Sequence, residues 1–305
     1  YWLWRSLKAK VPLIDVRLFK NRNVLVANLV TALVALSSLQ ITLIFAVLLQ
    51  TPLWTGIGLG ALYFLVASGL SLIYGLMGVL NFAHGTFLTV GAFTALWSMN
   101  SLFKSSETIP FFASMALGGI AAGLFALLME QLLIKRLYER HIDQALVTVG
   151  VSLVVGALLG GWFSNDLRLL PIPSFMSNSL TIAGANIALD RLVFVAVAVV
   201  ILLAIFAMLK YTRIGLVIRA GVENRTMVTA LGVNVKLAFS FVFFLGGFAA
   251  GIGGVLIAAY TSGVSPLMAG SWLIYGFIVV VVGGMGSVGG SFAAAMLIGI
   301  LKQFT

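Results

Sequence analysis

Charge is scarce in this chain. Asp, Glu, Lys and Arg together make up 9% of its 305 residues, against roughly 25% in a soluble domain. No charged residue occurs between positions 23 and 103, nor between 237 and 301. Each run far exceeds the ~20 residues that cross a bilayer, so each holds several spans. With 61% of residues hydrophobic, no soluble globule could hide the apolar surface, because some surface stays exposed at any shape. Cysteine is absent, which excludes disulfides and thiolate metal sites. Ionisable groups at membrane depth are nearly absent too. His84 is the one such side chain, tyrosine aside, inside the two uncharged runs. Proton coupling usually relies on an intramembrane carboxylate or histidine and finds little support here. Glu130 stands one turn from Lys135 and is expected to reach water at an inner helix end. No lysine completes a G-x-x-x-x-G-K-[ST] phosphate cradle, and no Ser-His-Asp or metal-ligand grouping appears. The chain is therefore read as no enzyme, with no metal and no cofactor of its own. Any ATP is bound by a partner.

What is present is a strongly basic balance, a net charge of +10. Its topological reading, Lys and Arg held in cytoplasmic loops, outweighs a nucleic-acid one. The pattern predicts an all-α, multi-pass helix bundle of about eight or nine spans in the plasma (inner) membrane. Spans are expected near 24–49, 56–80, 86–97, 111–134, 145–163, 192–209, 237–259, 272–282 and 292–301. Gln50, Thr51 and Pro52 are expected to break the first from the second. This threading leaves 14 Lys/Arg inside and Lys104, Arg168 and Arg191 outside, with Lys302 unassigned. The longest outer segment is 164–189, and 210–236 is a basic inner loop. No cleavable signal peptide is recognisable, and the ends at Tyr1 and Thr305 read as internal to a longer chain.

Small-xxx-small pairs recur at Gly56/Gly60, Gly119/Gly123, Gly156/Gly160 and Gly247/Gly251. In lipid such pairs let helices approach closely. Packing inside one bundle is the first expectation and a dimer seam the second. Asn81, His84 and Gly85 sit in a polar interruption, where His84 is either a neutral imidazole satisfied by backbone or part of a substrate path. In the inner loop, Val222, Met227, Ala230 and Leu231 fall roughly on one helical face. Gly232 is placed to end that helix, and Arg219 and Glu223 are spaced i, i+4. A handle for an external motor and an ordinary interfacial loop fit this spacing equally.

Run 69–85 reads Gly-Leu-Ser-Leu-Ile-Tyr-Gly-Leu-Met-Gly-Val-Leu-Asn-Phe-Ala-His-Gly. It closely resembles the opening motif of branched-chain amino acid ABC importer permeases. The Arg219 to Asn234 loop resembles that family's ATPase-docking segment. Runs 246–254 and 282–290, rich in glycine, resemble two further motifs in the expected order. The likeness covers about 48–301. Residues 1–50 are foreign to it. Run 12–23 resembles the central cytoplasmic segment of major-facilitator drug exporters, followed by one of their spans. Family members also run on for one more span and a basic tail. The expected division is therefore 1–50, a basic segment plus one extra helix, and 51–305, the permease domain with its last span missing.

The resemblance implies a permease that works with a second homologous permease, two ATPase subunits and an extracytoplasmic substrate-binding protein in a lipid bilayer. Nucleic acid has no part. The implied cargo is leucine, isoleucine or valine, with urea or short amides as the alternative. A drug-exporter fragment is a further reading, carried by residues 1–50 alone. A zwitterion crossing an uncharged path needs backbone dipoles to receive its charges. The expected substrate path is accordingly Asn81, His84, Gly85, Gly283, Gly284 and Gly286. The expected coupling residues are Arg219, Val222, Glu223, Met227, Ala230, Leu231 and Gly232. ATP binding in the partner is expected to move the inner loop and reorient the spans by alternating access.

Overall fold

The computed structural model describes residues 22–78, 81–137, 140–182, 185–223, 225–230, 232 and 235–304. Two compact units are distinguished, one of 1–51 and 183–185, the other of 52–182 and 186–305. Nearly everything described below belongs to the second.

In hydrocarbon every backbone N–H and C=O needs an internal partner, so apolar runs become helices. Helix α1 is Arg22–Met77. Pro52 lies inside it, so the expected helical break at Gln50–Pro52 is not present. Proline removes one ladder bond, and the backbone stays helical around it. There follow α2 (His84–Trp97), prolonged by a π-helical turn Ser98–Phe103, α3 (Thr108–Leu132) and α4 (His141–Phe163). A short 3-10 turn, Ile134–Leu137, follows α3. Next come α5 (Leu189–Tyr211), α6 (Arg213–Glu223), α7 (Arg225–Ala230) and α8 (Val235–Tyr260). The last two are α9 (Met268–Gly283) and α10 (Val288–Leu301). Strand is confined to connections. β1 (Arg168–Leu169) pairs antiparallel with β4 (Gly263–Val264), and β2 (Ser179–Ile182) pairs with β3 (Ala185–Ala188).

Among the described residues, five helices are long and apolar enough to cross a membrane, at Pro52–Gly75, Thr108–Leu132, His141–Phe163, Leu189–Tyr211 and Leu237–Tyr260. A sixth span results if α9 and α10 count as one broken unit. The described residues do not confirm the expected eight or nine, and several of the expected spans are short helices. Helices α2 and α10 have 14 residues each and α9 has 16. At 1.5 Å per residue these run to only about 21–24 Å, short of the ~30 Å hydrocarbon core. α9 and α10 also meet at 117°, so they form a bent corner.

The core is built on the Pro52–Gly75 helix, 94% buried, and on α8. α4 lies at the other extreme, with 6% of its span buried. Small residues set the crossings. A Cβ on Gly251 would lie 3.0 Å from Gly119 Cα, and one on Gly247 would lie 3.2 Å from Gly123 Cα, so α3 and α8 interlock through two of the glycine pairs. Gly56 and Gly60 press on α10 at Ile300 and Met296. These three pairs serve packing within the bundle. Gly156 faces open space, and Gly160 meets the side chain of Asn165 instead of another helix.

Candidate functional site

Two helix breaks and one inner loop hold the residues singled out from sequence. The first break joins α1 to α2. Asn81 Oδ1 accepts from the Ala83 N–H at 3.0 Å, and the His84 N–H donates to the Asn81 carbonyl at 3.1 Å. This small self-bonded turn substitutes for the helix ladder. Thr148 on α4 closes it from the side, its Oγ1 accepting from the Phe82 N–H at 3.2 Å. His84 is fully buried. Its Nε2 lies 3.0 Å from the Val66 carbonyl, and its ring meets Phe87 edge to face. Nδ1 has no partner among the described residues, nor has Asn81 Nδ2. The ring is thus tied to backbone at a break, in a tautomer that places the proton on Nε2. A Cβ on Gly69 would lie 2.8 Å from His84 Cε1, and one on Gly85 would lie 2.8 Å from the Ala269 carbonyl. Both glycines exist to let backbone and ring close up.

The second break is the α9–α10 corner. Gly284 and Gly286 both have φ of 87°, a region open to glycine and costly to other residues. The Ser287 N–H bonds the Gly284 carbonyl at 3.0 Å, and Ser287 Oγ caps α10 by accepting from the Gly290 N–H at 3.1 Å. A Cβ on Gly283 would sit 2.6 Å from Gly290 carbonyl carbon, so the corner folds tightly only because both are glycine.

These two groups of substrate-path candidates do not come together. Gly85 lies beside Ala269, in the first turn of α9, and Phe82 of the same turn meets Phe277 at 5.2 Å between ring centres. Gly283 ends α9, about 21 Å along the axis from Ala269 at 1.5 Å per residue, and Gly284 and Gly286 follow it. There Gly286 faces Gly75, with a Gly286 Cβ only 2.9 Å from Gly75 Cα. Both breaks therefore brace the α1 helix, at separate levels.

The inner loop is helical on both sides of residue 224, which lies outside the described residues. Helix α6 is described to Glu223, and α7 from Arg225. Ile218 and Val228 both turn inward, 5% and 8% exposed, while Met227 faces outward at 61%. Arg219 and Ala230 are exposed. Gly232 has φ of 78°, and its N–H bonds the Thr229 carbonyl at 3.0 Å. That is the left-handed conformation which ends helices. Leu231 and the side chains of Val222 and Glu223 lie outside the described residues.

Glu130 corrects another expectation. It is buried rather than solvated, and Ser240 of α8 donates to its Oε2 at 2.7 Å. Its place near a basic helix end hid this, because burial depends on α8, which packs there from 110 residues away. Among the described residues no group of three His, Asp or Glu is placed to hold a metal.

Compared with known proteins, residues 53–305 match the family described as branched-chain amino acid transport system / permease component. The chain belongs to that family. Among its relatives is the high-affinity branched-chain amino acid transport system permease protein LivH of Escherichia coli K12. That protein is 24% identical over 262 residues, covering 83% of this chain and 84% of the relative. The probable LivH of Methanocaldococcus jannaschii is 28% identical over 244 residues, 78% and 75% of the two chains. A fructose import permease, FruF of Bifidobacterium longum, is 24% identical over 257 residues, 81% and 66%. No solved structure matches. The permease is thus a multi-pass protein of the inner membrane and a transporter component, not an enzyme.

Proposed function

We propose that this permease forms the membrane path of an ATP-driven importer for branched-chain amino acids. A separate ATPase drives alternating access. The observation that carries the reading is the family match over 53–305, shared with relatives named for branched-chain cargo. The geometry supports it. Two glycine-built breaks sit against one buried helix, and broken helices offer dipole ends and free carbonyls to a zwitterion. ATP binding in two ATPase subunits closes the motor and moves α6 and α7. A second homologous permease completes the path, and an extracytoplasmic binding protein delivers the substrate.

The FruF match keeps a sugar as the second cargo. The test is uptake by vesicles holding the assembled complex, ATP inside and loaded binding protein outside. Labelled leucine, isoleucine and valine should enter only with ATP, and fructose and urea should not. Fructose uptake without leucine uptake would reassign the cargo. Leucine uptake that survives ATP depletion and collapses with the proton gradient would overturn the motor.

A further inference from the structure

A cation is embedded in aromatic rings at the end of the permease remote from the inner loop. Arg191 opens α5, which runs 23 residues before the basic loop begins, so Arg191 stands about 30 Å from that loop. The Lys/Arg distribution puts this end outside. An arginine that merely anchored a helix at the interface would stretch toward the headgroups. Arg191 instead lies across Gly58 of α1, where a Cβ would come within 2.6 Å of its Cδ. Its guanidinium sits 4.5 Å from the ring centre of Tyr260, the last residue of α8. Tyr260 in turn meets Trp272 of α9 edge to face at 6.2 Å. The start of α5, the end of α8 and the Gly58 face of α1 therefore meet at one side chain, with Trp272 of α9 behind Tyr260.

Its pairing is incomplete. Arg191 Nη1 donates to Asp190 Oδ2 at 2.8 Å, with the two side chains 18% and 21% exposed. Asp190 Oδ1 and Arg191 Nε are buried and have no partner among the described residues. The pair thus keeps one acceptor and one donor to spare, with the guanidinium over the Tyr260 ring. A buried polar group without a partner calls for an explanation. An α-amino acid carries the complementary set: a carboxylate to accept from a guanidinium and an ammonium to donate to a carboxylate, with aromatic faces favourable to that ammonium.

We propose that Asp190 and Arg191, seated on Tyr260 and beside Trp272, form an outer receiving site for the zwitterionic end of an amino acid, Arg191 taking its carboxylate and Asp190 its ammonium. This rests on the amino-acid reading of the cargo and assigns it a place of entry. The site lies apart from both glycine breaks. Because the spare atoms are buried, the Arg191 side chain lifts from Gly58 as substrate arrives, so occupancy and opening are one event.

The experiment is the concentration dependence of leucine uptake by the assembled complex in vesicles, with basal ATP hydrolysis measured alongside to report assembly. Asp190→Asn and Arg191→Gln should each lower uptake tenfold or more and leave basal hydrolysis unchanged. The double variant, whose two amides can still hydrogen-bond to each other, should stay as low. Gly58→Ala unseats the arginine stem without touching a charge and removes that opening step, so it should lower the half-saturating concentration several-fold while sparing the maximal rate. Wild-type uptake in the double variant would show that the pair is a strut and overturn the proposal. So would an unchanged half-saturating concentration in Gly58→Ala, which decides the matter if the charge variants fail to assemble. If the wild-type complex takes up no leucine at all, the cargo reading fails and the site falls with it. Wild-type uptake with wild-type behaviour in every variant sinks the site alone.

Discussion

Ser240 and Glu130, 110 residues apart in sequence, are joined by a 2.7 Å hydrogen bond from the serine hydroxyl to the carboxylate across the α3–α8 crossing. The carboxylate is fully buried, so water cannot replace a lost donor. A typical hydrogen bond contributes about 0.5–1.5 kcal/mol net. Ser240→Ala should therefore lower the thermal unfolding midpoint, followed by tryptophan fluorescence in detergent. Glu130→Gln keeps an acceptor for the hydroxyl and should cost less. An unfolding midpoint unchanged in Ser240→Ala would remove this bond from the account of the crossing.

The Gly284 and Gly286 positions separate backbone strain from crowding. Both have φ of 87°, a backbone region that residues with a Cβ adopt only at a cost in strain. Around Gly284 the nearest atom to an added Cβ is Ser287 Cβ at 4.0 Å. Around Gly286 it is Gly75 Cα at 2.9 Å, on another helix. Overpacking adds about 1–3 kcal/mol. Gly286→Ala should thus yield clearly less folded protein on size-exclusion chromatography than Gly284→Ala. Equal yields would mean that the corner does not need the Gly75 contact.

Much of this was readable from the letters, for a physical reason. Lipid forces apolar runs into helices, so the spans at 108–132, 141–163 and 189–211 followed from composition. That the glycine pairs 119/123 and 247/251 serve packing within one bundle was anticipated, since small residues serve that end in lipid; which pair meets which was not. The misreadings share a cause as well. Pro52 looked like a break because proline lacks a donor, yet one missing bond does not end a helix whose neighbours hold it. Glu130 looked wet because its partner comes from distant sequence. Arg191 was counted as an outer loop charge, although an Asp-Arg pair opening an apolar span was a signal that it had a partner inside.

Topology can be tested directly because the chain lacks cysteine. Ser177 lies in the 3-10 turn Ser174–Ser177, and Thr229 lies on α7; both are exposed. Ser177→Cys should react with a membrane-impermeant thiol reagent added outside intact cells, and Thr229→Cys only after permeabilisation. The reverse pattern would invert the assignment of the basic loop to the cytoplasm.

The leading segment makes a separate prediction. The family match starts at residue 53, and the compact second unit starts at 52. Deleting residues 1–47 should leave a permease that still co-purifies with its partners. A truncated chain that fails to assemble where the full chain succeeds would make the first part of α1 integral to the permease.

The proposed coupling loop gives the sharpest test, because α7 carries two apolar side chains facing opposite ways. Met227 is 61% exposed and Val228 is 8% exposed, so one presents its side chain at the surface and the other is committed to the bundle. Burying a side chain of this kind is worth about 1.5–3 kcal/mol. At about 1.4 kcal/mol per decade, losing it weakens docking roughly tenfold to a hundredfold. An exposed ion pair contributes about 0–1 kcal/mol, and Arg219 is exposed. Met227→Asp should therefore abolish substrate-stimulated ATP hydrolysis in the reconstituted complex and leave the amount of folded permease unchanged. Val228→Asp should instead reduce folded permease, since it places a charge in the core. Leu231→Asp is expected to uncouple as Met227→Asp does, and Glu223→Gln to do little. Gly232→Val should also impair coupling, because φ of 78° at that residue is costly for a β-branched side chain. Full stimulation in Met227→Asp would mean that the exposed face of α7 meets only water or lipid headgroups, and the motor would have to grip the permease elsewhere.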